Sequence, residues 1–194
     1  MYEFFLKLSR GFAWLGGLML TALVLLTCLS VLGRKANEVL HGMVADGIAP
    51  GLARWLLEAD IGAVKGDFEL IEAGIAFSIF AFLPLCQITN GHASVDVFTA
   101  KLSPRSNRIL RAVTETVFAV VLVLIAVQLA AGMLSKLHSG QTTFLLQFPV
   151  WWSYALSLTG AVAAAVVAVY MAMMRIGEML TGRDILPADP GAGA

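Results

Sequence analysis

Four stretches of this chain run long enough without a charged side chain to cross a lipid bilayer, and that feature decides what it can fold into. In hydrocarbon every backbone N–H and C=O must find its partner inside the protein, which leaves helices and closed barrels as spanning structures. The runs here are continuously apolar rather than alternating, so the predicted fold is all-α. The first run, Gly11 to Gly33, has 23 uncharged residues, about 35 Å as a helix. A secretory leader has a shorter apolar core of about 7–15 residues. This run passes straight into Arg34-Lys35 and is expected to stay as a spanning helix, entered from the cytoplasm behind Lys7 and Arg10.

The second span is predicted at about 69–89, with Glu69 and Glu72 at its mouth and Pro84 bending it. The third is predicted at about 112–134, where Glu115 sits one turn inside and is expected to pair with Arg111 at i−4. The last uncharged run, Gln141 to Met174, would be roughly 50 Å long as one helix, too long for a hydrocarbon core of about 30 Å. Pro149 offers the break. The fourth span is therefore placed at about 150–174, and "QTTFLLQF" is read as an apolar surface or re-entrant approach to it.

Composition agrees: 59% of residues are hydrophobic and 13% charged, against about 25% charged in soluble domains. Too little polar sequence remains for a second domain, so residues 1–194 are read as one membrane domain. Lys+Arg and Asp+Glu are 13 each, which leaves no basic face for a phosphate backbone and excludes nucleic acid as a partner. Orientation follows from the basic residues. With both termini inside, the cytoplasmic segments, including loop 90–111 and tail 175–194, hold eight Lys and Arg before the tail's end, and the outer segments hold five. Trp151, Trp152 and Tyr154 then fall at the outer end of the fourth span, where an aromatic belt belongs. In the outer loop, 34–68, Leu52, Trp55, Leu56 and Ala59 recur at i, i+3, i+4, i+7 behind Pro50. That is an amphipathic helix lying in the outer interface.

Chemistry has little to work with. Cys28 and Cys86 fall near opposite ends of their helices, far beyond disulfide reach, and read as small core residues. His41, His92 and His138 lie outside the spans and do not cluster with Cys or carboxylates at metal-ligand spacings, so no metal, haem or other cofactor is expected. No phosphate-cradling loop or nucleophile elbow is present, and the chain is not read as an enzyme. Gln128, inside the third span, is expected to hydrogen-bond a neighbouring helix. Arg34, closing the first span, is expected to pair with Glu69 or Glu72 and so tie the first helix to the second. In the fourth span Gly160, Ala164, Ala168 and Ala172 put a small residue at every fourth position, a stripe on which another helix can pack closely. Packing within this chain is the preferred reading of the stripe, and contact with another chain is the alternative.

The stretch "QITNGHASVDVF", 87–98, packs Gly, His, Ser and Asp between two spans and reads as a corner. Gly91 permits the turn, Ser94 caps a short helix from Val95, and Asp96 sits in its first turn, where the dipole favours a negative charge. Val95, Phe98 and Leu102 form an apolar stripe for the inner interface. His92 is assigned a turn-stabilising or subunit-contact role, with a protonation role as the alternative.

Three elements in order carry a family resemblance: the acidic opening "FELIEAG" of the second span, the turn "GHASVD", similar to a G-H-x-x-V-D pattern, and "TTFLLQFPVWWSY", similar to T-x-x-L-x-x-P-x-x-x-x-Y. With Arg34 closing the first span, the chain resembles the small membrane subunit of tripartite ATP-independent periplasmic (TRAP) transporters, the DctQ-like family. It departs from the family pattern in its longer loop before Phe68. The resemblance implies a bacterial inner-membrane scaffold, multi-pass, that braces a large DctM-like subunit carrying the substrate and sodium sites. It also implies a periplasmic DctP-like binding protein that delivers an organic anion, usually a carboxylate, for uptake driven by an ion gradient. The structural and subunit-contact candidates are then Arg34, Glu69, Glu72, Gly91, His92, Asp96, Pro149, Gly160, Ala164 and Ala168. The alternative is an independent four-helix membrane protein, an ion- or proton-coupled exporter or an assembly factor.

Overall fold

Each apolar run nucleates a helix that continues past the run into charged sequence. In the computed structural model, which describes residues 1–58, 62, 64–89, 91 and 103–182, α1 spans Tyr2–Ala45, α2 Pro50–Glu58, α3 Asp67–Ile88, α4 Pro104–Ser139 and α5 Trp151–Thr181. Four of them, all but α2, are long and apolar enough to cross a membrane. The all-α, four-span architecture is as the apolar runs predict, but the helices outlast the spans. α1 has 44 residues and α4 has 36, about 66 and 54 Å of helix. Charge marks where the bilayer ends, and a helix has no reason to stop there while its residues still favour it. The real stops are local. Ser103 accepts from the N–H of Ser106 ahead of Pro104 at the start of α4, and Gly140 and Gly182 take left-handed φ of 61° and 68° where α4 and α5 end. α3 runs unbroken through the buried Pro84.

The spanning helices stand in the order α1, α3, α5, α4, with α5 between α3 and α4, which hardly touch each other. α5 is accordingly the most buried of the four and α4 the least. Gly160, Ala164 and Ala168 all lie on the packed side of α5, the two alanines with no exposed surface. Ala164 and Ala168 join Ala119, Leu122 and Ala126 of α4 in the core, with Phe80 of α3 packed beside them. A Cβ added at Gly160 would lie 2.9 Å from Phe80 Cβ and 3.0 Å from the Phe80 carbonyl carbon. The α3 backbone therefore approaches α5 as far as a glycine allows. The stripe read from the sequence thus packs against neighbours in its own chain.

The α1–α3 seam has a different logic. Ser9, Gly16, Leu23 and Ser30 are the buried residues of the spanning part of α1, seven apart, the spacing of a left-handed supercoil seam. Leu23 fills the space left by Gly74, Gly16 meets Ala81, and Ser30 meets Asp67, each step taking seven residues forward on one helix and seven back on the other. Large faces small in the middle and polar faces polar at the outer end.

In the predicted outer loop, α1 itself extends to Ala45 and α2 folds back against it, with Ala53 fully buried and Leu56 and Leu57 half-buried. The amphipathic helix is present. Leu52 and Trp55 are its exposed apolar residues, while Ala59 lies outside the described residues. The α5 packing makes a testable demand. Gly160→Leu should lower the stability of the detergent-solubilised protein by roughly 1–3 kcal/mol, the usual cost of overpacking, in a denaturant titration. Gly17→Ala, where an added Cβ meets nothing within 4 Å, should leave it unchanged.

Candidate functional site

Charged groups and their partners gather at the two ends of the bundle and leave its middle with small hydroxyls as its buried polar groups, so the candidate sites are two latches and the cleft between them. "Outer" here is the side assigned by the distribution of Lys and Arg.

At the outer end Gly66, with a left-handed φ of 77°, turns the chain so that α3 opens on Asp67. The Asp67 carboxylate faces α1. Its Oδ2 accepts from the Ser30 hydroxyl at 2.5 Å and from Arg34 Nη1 at 3.2 Å, while Oδ1 accepts from the N–H of Phe68 at 2.9 Å. Arg34 also stands over the Phe68 ring, 5.7 Å from its centroid. Arg34 does tie α1 to α3, but its partner is Asp67, not the expected Glu69 or Glu72. The reason is register: Ser30 and Arg34 share a face one turn apart, and the seven-residue seam brings the first residue of α3, not its third or sixth, opposite them.

Glu69 has another task. Its two carboxylate oxygens accept the backbone N–H groups of Leu145 and Leu146 at 2.6 and 2.9 Å. They hold the segment before α5 against the start of α3. That segment is a small hairpin closed by a bridge between Thr142 and Pro149, with Gln147 at a φ of 56°. Leu146 fills the space above Gly66, where an added Cβ would collide with the Leu146 side chain. The expected surface approach is thus a folded cap with an exposed tip at Phe144 and Leu145. Pro149 closes the hairpin and frees α5 to begin at Trp151. Glu72 projects exposed at the mouth of a cleft between α3, α4 and α5.

At the inner end, Gln87 of α3 donates through Nε2 to Glu115 of α4, so the two helices α5 separates are bridged there. Glu115 points inward, while Arg111, its expected partner, lies on the exposed surface. On α5, Arg175 Nη1 and Glu178 Oε2 form a buried ion pair at 2.8 Å. A buried charge persists in a fold when it is paired, and one turn of helix supplies that geometry. Phe5 of α1 stacks on Tyr170 of α5, with centroids 4.5 Å apart.

Gly91 is exposed and its N–H donates to the Cys86 carbonyl, ending the α3 turn. His92 and Asp96, with the short helix expected from Val95, lie outside the described residues. Among the described residues no group of three His, Cys, Asp or Glu could hold a metal ion. Gln128 makes no side-chain hydrogen bond among the described residues. It is exposed on the face of α4 that points away from α5.

The residues missed in the sequence are Asp67, Ser30, Gly66, Gln87 and the Arg175–Glu178 pair. The seven-residue recurrence of Ser9, Gly16, Leu23 and Ser30 was the available signal for the first two. Two interhelical interactions meet at Asp67, and burial ranks them. Ser30 is fully buried whereas the Arg34 side chain is 43% exposed, and exposed ion pairs contribute little. Ser30→Ala should therefore loosen the α1–α3 contact more than Arg34→Gln, read as faster proteolysis of the outer ends of the two helices. A double-mutant cycle with Asp67→Ala should give the larger coupling for Ser30.

The model of one family, described as tripartite ATP-independent periplasmic transporters, DctQ component, matches residues 23–177 of the chain. Neither a curated protein nor a solved structure matches it. The matched stretch runs from the middle of α1 to the inner latch and takes in Asp67, Glu69, the hairpin and the packed face of α5.

Proposed function

The chain belongs to the DctQ component family of tripartite ATP-independent periplasmic transporters, and from that membership we propose that it is the stationary brace of the transporter's membrane complex. It is a small transporter subunit with four spanning helices and not a member of an enzyme family. In the proposed complex it sits in a bacterial inner membrane beside a larger DctM-like subunit. A DctP-like periplasmic protein delivers an organic anion, a carboxylate being the expected class, and an ion gradient drives uptake.

The observation that carries this reading is where the polar groups are spent. Asp67 with Ser30 and Arg34, Glu69 with the hairpin, and Gln87 with Glu115 join elements of this chain to one another, and Arg175 with Glu178 is satisfied within α5. Side chains committed to holding helices together make a rigid body, which is what a fixed support for a moving partner requires.

Gln128 supports a position for the partner. A side-chain amide facing hydrocarbon is unfavourable, and across a membrane interface it finds a hydrogen bond on a neighbouring helix. In this chain it faces outward on α4, among Leu124, Val127 and Ala131, so the neighbour is assigned to another polypeptide, and α4 becomes the docking helix for the large subunit.

A tagged copy expressed with its genomic neighbours should bring down a much larger multi-span protein. Gln128→Leu should reduce the recovered partner several-fold while leaving the small subunit's own yield unchanged, the loss of about 1 kcal/mol per interhelical hydrogen bond. A tagged copy that never captures a large membrane protein would leave the independent four-helix reading in its place. His92→Gln should preserve uptake and its pH profile. A shifted profile would assign His92 a protonation role instead of a structural one.

A further inference from the structure

α3 and α4 both lean on α5 but not on each other, and Gln87 and Glu115 join them only at the inner end. In the outer half they enclose a half-open cleft of about 490 Å³, floored by α5 and overhung by Phe144 of the hairpin. Its size lies within the roughly 300–1,000 Å³ typical of small-molecule sites, and most of its surface is apolar, with Ala76 and Phe80 on one wall and Leu129 on the other.

Two polar groups in it, Ser157 and Glu72, have no side-chain partner among the described residues. Ser157 lines the floor at 2% exposure, and its hydroxyl has no hydrogen-bond partner. Buried hydroxyls are nearly always bonded, so an orphan points to a partner supplied from outside. Glu72 stands at the outer mouth, one turn into α3. Glu69 beside it is taken up by the hairpin amides, but the Glu72 carboxylate has no hydrogen bond or ion pair among the described residues. No Lys or Arg lines the cleft among those residues.

The occupant then carries a cation at headgroup level, an acceptor about one and a half turns of helix deeper, and apolar length beyond. We propose that the cleft holds one phospholipid with a primary-ammonium headgroup. The ammonium donates to the Glu72 carboxylate, an ester carbonyl accepts from the Ser157 hydroxyl, and one acyl chain lies between Ala76, Phe80 and Leu129. An anionic headgroup such as glycerol phosphate would face Glu72 and Glu69 with no compensating cation. A quaternary choline has no N–H for the carboxylate to accept. The assignment rests on this chain's own residues and is independent of which subunits it joins.

Native mass spectrometry of the full-length chain, released from detergent after equilibration with equal amounts of phosphatidylethanolamine and phosphatidylglycerol, tests it. The wild type should retain one phosphatidylethanolamine in preference to phosphatidylglycerol. Glu72→Gln, a change at the exposed mouth that leaves the packing intact, should lower that occupancy roughly tenfold, the worth of one charge-assisted hydrogen bond. Ala76→Leu, which narrows the cleft without altering a charge, should abolish the adduct. Equal retention of the two lipids by the wild type, retention of neither, or an unchanged phosphatidylethanolamine adduct in Glu72→Gln would each overturn the proposal.

Discussion

The fold depends on how closely α5 can be approached. In a bilayer the lipid tails are as apolar as leucine, so helices associate through packing and interhelical hydrogen bonds rather than by escaping water. The alanines and glycine on α5 remove the side chains that would keep its neighbours away. Phe80 on one side and Ala119, Leu122 and Ala126 on the other then reach its surface directly. Because both α3 and α4 use α5, it is the hub of the bundle, and the order of the helices in space follows from it. α1 joins by a different means, a seven-residue seam in which Leu23 enters the gap at Gly74. Two packing codes, one of small residues and one of knobs and holes, thus hold three helix pairs.

Polar contacts complement this packing because they are confined to the ends. At the outer end Asp67 fixes the rotation and height of α3 against α1, and Glu69, two residues on, uses the same helix start to hold the hairpin. At the inner end Gln87 and Glu115 close the span between α3 and α4. The middle of the bundle has no need of such groups, since dispersion between close backbones is available there and a charge would be costly. One larger polar side chain departs from this division: Gln128 lies within the apolar part of α4 and faces outward. The proposed contact with the large subunit would give its amide a partner.

How much of this could be read in the residues depended on what each signal measures. Uncharged runs gave the number, order and approximate centres of the spans, because exclusion of charge is a property of the bilayer. They did not give the helix ends, since Arg34 and Arg105 lie outside the uncharged runs but still within α1 and α4. The stripe at Gly160, Ala164 and Ala168 was legible as a packing face because its period matches the helix. The partner of Arg34 was not: choosing between Asp67, Glu69 and Glu72 requires the register between two helices, and register is set by the Leu23–Gly74 and Gly16–Ala81 fits along the whole seam. Glu69 was misassigned for a related reason. Its acceptors' partners are backbone amides at Leu145 and Leu146, which carry no side-chain signature and come within reach only once the hairpin folds back. Glu115 looked inward to Gln87 rather than along its own helix to Arg111, a choice made by which face of α4 meets the bundle.

The unbroken length of α1 sets a distance. Beyond Arg34 the helix continues for the residues up to Ala45 without a proline, about 17 Å at the helical rise, and α2 is fastened against that extension with Ala53 buried. The exposed Leu52 and Trp55 are therefore carried at a fixed height and bearing relative to the Asp67 latch, as marks on a rigid ruler. Removing or adding residues between Lys35 and Leu40 would change that height by about 1.5 Å each and swing the marks by about 100° per residue. Whatever meets them on the outer side is measured off from the membrane by the pitch of a single helix.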